Sequence, residues 1–192
     1  MNNKMKPVEY FKHIHNLLQK TLVTGTDGRA ASLDNSFRSI IKRVVNLKEK
    51  NDKLIFIGNG GSASIASHMA TDFLKNAGIP AIAFNDASLI TCLSNDLGYE
   101  NVFKKPVELL AGKGDLLVAI SSSGRSANIL QATQAAKVKS CFIITLSGFD
   151  SDNPLRVMGD INFYVKSGSY GHVEIAHLTI CHCLLDMIIE KW

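Results

Sequence analysis

The stretch Lys53 to Asp72, KLIFIGNGGSASIASHMATD, constrains the rest of the chain more than any other. Leu54-Ile55-Phe56-Ile57 is a short apolar run without alternation, the pattern of a parallel strand buried on both faces. Gly58-Asn59-Gly60-Gly61-Ser62 follows at once, and the residues after it are good helix formers. A strand that ends in glycines and reopens as a helix aims several backbone N–H groups and the helix dipole at one point. That point suits an anion, most often a phosphate. The same helix carries His68 and Asp72 four residues apart, so both side chains emerge on one face as a metal-ligand or acid–base pair.

The remaining chain alternates in the same manner. Pro7 to Leu22 and Asn35 to Lys50 read as amphipathic helices, joined by a polar, glycine-bearing connection over Thr24 to Asp34. Ile79 to Phe84 reads as a strand. Ser88 to Ser94 and Val102 to Leu110 read as helical segments on either side of Asn95-Asp96. Leu116 to Ile120, Ser140 to Leu146 and Ile161 to Val165 read as strands. Ser126 to Ala136 and His172 to Ile189 read as helices, with a short segment over Pro154 to Met158. Strands and helices at this spacing build βαβ units, hence a doubly wound parallel α/β sheet. The expectation is a single domain over 1–192, with a helical N-terminal arm (1–50) and an α/β core (53–192). The arm's two apolar faces pack either on their own sheet or on a symmetry mate, and the second is favoured for at least one.

Composition narrows the function classes. At 192 residues, 46% apolar and 20% charged, the chain has the length and make-up of one globular domain. A net charge of +4, without a dense Lys/Arg run, fits a small anionic substrate and is weak ground for nucleic acid. The N-terminus has no apolar h-region and eighteen apolar residues never run together, so no membrane span and a cytoplasmic location are expected. Cys92, Cys141, Cys181 and Cys183 form no C-x-x-C pair and read as free thiols.

Three motifs carry chemistry. Gly58 to Ala63 also satisfies G-x-G-x-x-A, and Asp86 stands beyond the next strand where a ribose-binding acid would sit. A dinucleotide-binding dehydrogenase is therefore a rival reading. The second motif, Ser121-Ser122-Ser123-Gly124-Arg125-Ser126, follows a buried-type strand and opens a helix. One serine there would be a helix cap; four hydroxyls among six residues describe a phosphate pocket. The third is Glu174, His177 and His182 on an otherwise apolar helix. His177 has an alternative as a satisfied core histidine. Glu174 and His182 are about 12 Å apart along a helix, and reach one metal only by converging from either side or from different subunits.

Four passages in order, GNGGSASIASH, SLITCLSNDLGYENVF, ISSSGRSANIL and VEIAHLTICHCLLDMI, resemble the sugar isomerase (SIS) domain family from about Lys53 onward. They are most similar to its phosphoheptose isomerase branch, which converts sedoheptulose 7-phosphate to a heptose 7-phosphate. The resemblance implies a flavodoxin-like sheet and a homotetramer with shared active sites. It implies that Asn59, Gly60, Gly61, Ser62, Ser121, Ser122, Ser123 and Ser126 hold phosphate and sugar. Asn95 and Asp96 would bind substrate hydroxyls, and Glu174 would also touch substrate. His68, Asp72, Glu174 and His182 fall on the family's zinc ligands, one ion per subunit. Asp72 and His182 fall on its catalytic base and acid, acting through an enediol. A non-catalytic SIS module, binding a phosphosugar or a protein partner as a regulator, is the alternative. The chain departs from the family pattern at three places: Ile65 replaces a carboxylate, Thr71-Asp72 replaces Glu-Glu, and Glu174-Ile175 replaces Gln-Glu. These bear on which sugar is used more than on the class of reaction.

Overall fold

The computed structural model describes residues 6–190. Its sheet has six strands: β1 (Leu22–Gly25), β2 (Leu54–Gly58), β3 (Ala81–Ala83), β4 (Leu116–Ser121), β5 (Phe142–Ser147) and β6 (Ile161–Tyr164). They lie in the order β1-β6-β5-β4-β2-β3. From β6 to β3 all pairs are parallel, and β2 is followed outward by β3 on one side and by β4, β5 and β6 on the other. That is the flavodoxin-like order, with the switch point between β2 and β4. Gly58 pairs with Ile120 there, so the glycine loop and the serine loop leave the sheet side by side.

Among the described residues, seven α-helices cover the two faces: α1 (Pro7–Gln19), α2 (Leu33–Lys50), α3 (Gly61–Asp72), α4 (Ala87–Leu97), α5 (Lys104–Leu110), α6 (Ala127–Val138) and α7 (Tyr170–Ile189). Strand β2 shows how the layers form. Leu54 and Phe56 point into a core shared with Phe37, Ile40 and Val44 of α2, Met69 of α3 and Ile180 and Leu184 of α7. Ile55 and Ile57 point the other way, to Val107 of α5 and Ile129 and Ala136 of α6. Each such side chain contributes about 1.5–3 kcal/mol by leaving water. Helix α7, at 20 residues and mean hydropathy 1.4, is long and apolar enough by composition to cross a membrane. In this fold it lies along the sheet, with Val173, Ala176, Ile180, Cys181, Leu184 and Leu185 buried.

The arm departs from the sequence expectation in one respect. Leu22–Gly25, assigned there to a helix end and a loop, is a strand antiparallel to β6, with Val23 opposite Phe163 and buried. Helix α1 accordingly stops at Gln19. Helix α2 packs on its own sheet, whereas α1 buries none of its residues. Val8 and Phe11 on α1 stay 60% and 66% exposed. All four cysteines are free thiols, Cys141 and Cys181 buried. Burial pushes those two thiols up, to about 11 and about 12 respectively.

Candidate active site

The pocket at the switch point measures about 560 Å³, open mouth included, and is lined by Asn59, Gly60, Gly61, Ser62, Ser121, Ser122, Ser123 and Ser126. Ile120, Tyr170 and Glu174 complete the lining, Tyr170 and Ile120 being additions that sequence reasoning missed. The two loops therefore meet as expected, at the first turns of α3 and α6. Neither N-cap residue, Gly60 or Ser126, makes a side-chain capping hydrogen bond. Ser126 instead turns its hydroxyl to that of Ser121, 3.4 Å away, so the capping explanation of this serine does not hold. The Ser121 hydroxyl accepts the Gly124 N–H at 3.2 Å, and Ser123 accepts that of Arg125 at 3.3 Å, which curls the loop. Ser122 is buried and its hydroxyl has no partner among the described residues. A buried hydroxyl left without a partner costs about 1–3 kcal/mol, so a ligand oxygen that reached this one would gain a bond the protein does not supply.

Glu174 lies at the other wall. A Cβ on Gly61 would come within 2.5 Å of its carboxylate, so any larger residue there would push the Glu174 side chain aside. Among the described residues, no lysine, arginine or histidine lines the pocket, and Glu174 is its one charged side chain. An anion bound here depends on backbone N–H groups, hydroxyls and the dipoles of two helices.

Seven residues past Gly61, two turns and about 10 Å further along the same face of α3, stands His68. Its Nε2 lies 3.2 Å from His182 Nε2 and 3.5 Å from Asp72 Oδ2. One ligand atom each from His68, Asp72 and His182 fall within 4.8 Å of one another. Two imidazoles facing each other so closely share either a proton or a cation. Two nitrogens and a carboxylate oxygen, on exposed or half-buried side chains, are a donor set that suits zinc with a coordination position left open. Glu174, the fourth expected ligand, is not in this group. It is two turns back along α7, against Gly61, so within one chain it belongs to the pocket.

Asn95 and Asp96 are on the last turn of α4 and do not line the pocket of their own chain. Asn95 donates to Asp96 at 2.8 Å, and Asp96 accepts the Cys92 thiol. Asp86 is the N-cap of α4, with its carboxylate taken up by the Ser88 hydroxyl and the Leu89 N–H. Those bonds, the Ser88 one first, hold its carboxyl below the usual range. Both bonds use one carboxylate oxygen, Oδ1. Ile65, where the resemblance implied a carboxylate, is a core residue, and Thr71 bonds back to the Ser67 carbonyl.

The sequence profile of the SIS domain matches residues 9–148. A phosphoheptose isomerase of Trichlorobacter lovleyi is 34% identical over 164 residues, 82% of this chain and 83% of that protein. One of Yersinia enterocolitica is 33% identical over 92% of this chain and 97% of its own length. The chain belongs to the SIS domain family. Among solved structures, a phosphoheptose isomerase from Neisseria gonorrhoeae superposes with a TM-score of 0.81 at 27% identity, covering 95% of this chain and 96% of that one. Within the SIS family the chain stands in the phosphoheptose isomerase branch.

His177 proves to be a core residue. It is fully buried, and its Nε2 lies 3.2 Å from the Ser147 carbonyl at the end of β5. A carbonyl only accepts, so Nε2 carries the proton and Nδ1, without a partner among the described residues, carries the lone pair. Burial holds its pKa down, to about 4, against a weaker upward pull from the Ser147 bond. An unfolded histidine takes a proton near pH 6.5, and the folded one resists it until about pH 4. Stability is thus full above that upper value and is lost as pH falls toward the lower one. Chemical denaturation at pH 7 and pH 5 should show a loss on the order of 2 kcal/mol from this residue. His177→Gln should flatten that limb; an unchanged slope would assign the acid sensitivity elsewhere.

Proposed function

We propose that the protein interconverts the ketose and aldose forms of a phosphorylated sugar, sedoheptulose 7-phosphate and D-glycero-D-manno-heptose 7-phosphate, through an enediol. The class, a phosphosugar aldose–ketose isomerase, is supported by the phosphoheptose isomerases of similar length and fold. One observation carries the chemistry: a cationless anion pocket and a His–Asp–His cluster lie on the same face of α3, two turns apart. That separation supports a long sugar chain, with its phosphate at one end and its carbonyl at the other.

The first-turn N–H groups of α3 and α6 and the Ser121, Ser122, Ser123 and Ser126 hydroxyls hold the phosphate. Glu174 accepts from sugar hydroxyls. Asp72 takes the proton from the carbon beside the carbonyl and returns it to the neighbouring carbon. His182 relays the hydroxyl proton. Zinc bound by His68, Asp72 and His182 would supply Lewis-acid stabilisation of charge on the carbonyl oxygen. Asn95 and Asp96 then come from a second copy of the chain, in a homotetramer. The exposed Val8 and Phe11 of α1 and Ile175 and Ile189 of α7 support such an assembly. The free cysteines fit the reducing cytoplasm.

A panel of five- to seven-carbon ketose phosphates, assayed with and without a chelator, tests this reading. Turnover should be fastest with seven carbons, fall on chelation and return with zinc. Tight binding without turnover would make the protein a binding module, and no binding would end the phosphosugar reading.

A further inference from the structure

We infer that Asn128 and Tyr99 are positioning residues that lock the side-chain amide of Asn59 with a donor, rather than an acceptor, free for the ligand. The inference rests on the reading of the switch-point pocket as a phosphosugar site.

Asn128 sits in the first turn of α6 and is only 2% exposed. Its Oδ1 accepts the backbone N–H of Ile129 at 3.0 Å. A backbone N–H cannot accept, so this bond removes the usual ambiguity between amide oxygen and nitrogen. With Oδ1 so placed, Nδ2 of Asn128 donates to Asn59 Oδ1 at 2.8 Å, and Asn59 Nδ2 donates back to Asn128 Oδ1 at 2.9 Å. The Tyr99 hydroxyl, from the turn after α4, donates to the same Asn59 oxygen at 3.1 Å.

Asn59 therefore has its oxygen occupied by two donors and one of its two N–H groups committed to Asn128. One N–H remains, on a residue that lines the pocket beside the unpartnered Ser122 hydroxyl. It meets an oxygen of the phosphate or sugar. The opposite orientation would turn a carbonyl oxygen toward a dianion, which repels it. Orientation thus passes from the main chain of α6, through two amides, to the ligand. Tyr99 ties it to the segment that follows Asn95 and Asp96.

The test uses the full-length protein and two probes, sedoheptulose 7-phosphate and inorganic phosphate, with Kd measured by calorimetry and Tm recorded alongside. Asn128→Ala and the isosteric Asn128→Asp, which replaces the donor facing Asn59 by an acceptor, should each raise Kd about tenfold or more. Tyr99→Phe, on the surface and safe for folding, should raise it about threefold. In turnover the same variants should raise KM with kcat within about threefold. In an Asn59→Ala background, Asn128→Ala and Tyr99→Phe should each change Kd by less than about twofold. A purely structural role would lower Tm alike in both backgrounds and leave Kd alone, and would overturn the inference. So would effects that multiply independently of Asn59. If the wild type binds neither probe, the phosphosugar reading falls and the inference falls with it.

Discussion

Asp72→Asn is expected to lower turnover by about 10²–10⁴-fold, the range a positioned general base supplies, and to leave phosphosugar affinity within about threefold. The amide keeps the shape of the carboxylate and loses its ability to take a proton from carbon. Asp72 is the last residue of α3, three turns beyond the glycine loop, so the switch-point pocket should not register the change. Asp72 is also a candidate zinc ligand, and an amide holds zinc less well. Metal content measured on the same preparations separates loss of the base from loss of the ion. Asp72→Glu keeps the carboxylate and adds one methylene. Its turnover should stay within about tenfold of wild type, because the proton-accepting group is kept. Wild-type turnover in the asparagine variant would remove Asp72 from the chemistry.

The core sheet was legible because its signals are local. Leu54 to Ile57 and Leu116 to Ile120 announce strands buried on both faces, and glycines or serines follow each one. Right-handed crossovers then leave few ways to order them. Strand β1 was not legible for the opposite reason. Leu22-Val23-Thr24 is too short to show a period, and its partner Phe163 lies far along the chain. The pocket was legible from its two loops, whereas Asn128 and Tyr170 were not. Each is one polar residue within a helix, and only the tertiary fold brings it to Asn59 or to the serine loop. The separation of Glu174 from His182 followed from helical rise alone. His177, between them on the same helix, needed the structure: its partner is the main chain of β5, which no spacing along α7 could reveal.

Gly124→Ala should cost roughly 3–5 kcal/mol of stability and weaken phosphosugar binding at least about tenfold. Gly124 has φ +62°, a conformation that an alanine adopts only at a cost of about 1–2 kcal/mol. Its added Cβ would also land on the side-chain amide of Asn153. That amide has nowhere to go, because Asn153 is 1% exposed and bonded on all sides. Its Nδ2 donates to the carbonyls of Asp150 at 2.8 Å and Gly148 at 3.2 Å, and its Oδ1 accepts the Arg156 N–H at 3.1 Å. The Leu155 N–H donates to the Gly124 carbonyl at 3.2 Å, so the serine loop and the 148–157 loop are stapled together at this point. Moving Asn153 aside strands several buried polar groups, each worth about 1–3 kcal/mol when left unpaired. For a chain of this length Tm should fall by about 10 °C. Asn153→Ala clears the space, so the double variant should be less destabilised than the sum of the two single ones. Strict additivity would mean that the two loops are not coupled through this contact. The switch-point pocket would then owe its shape to the hydroxyl bonds of Ser121 and Ser123 alone.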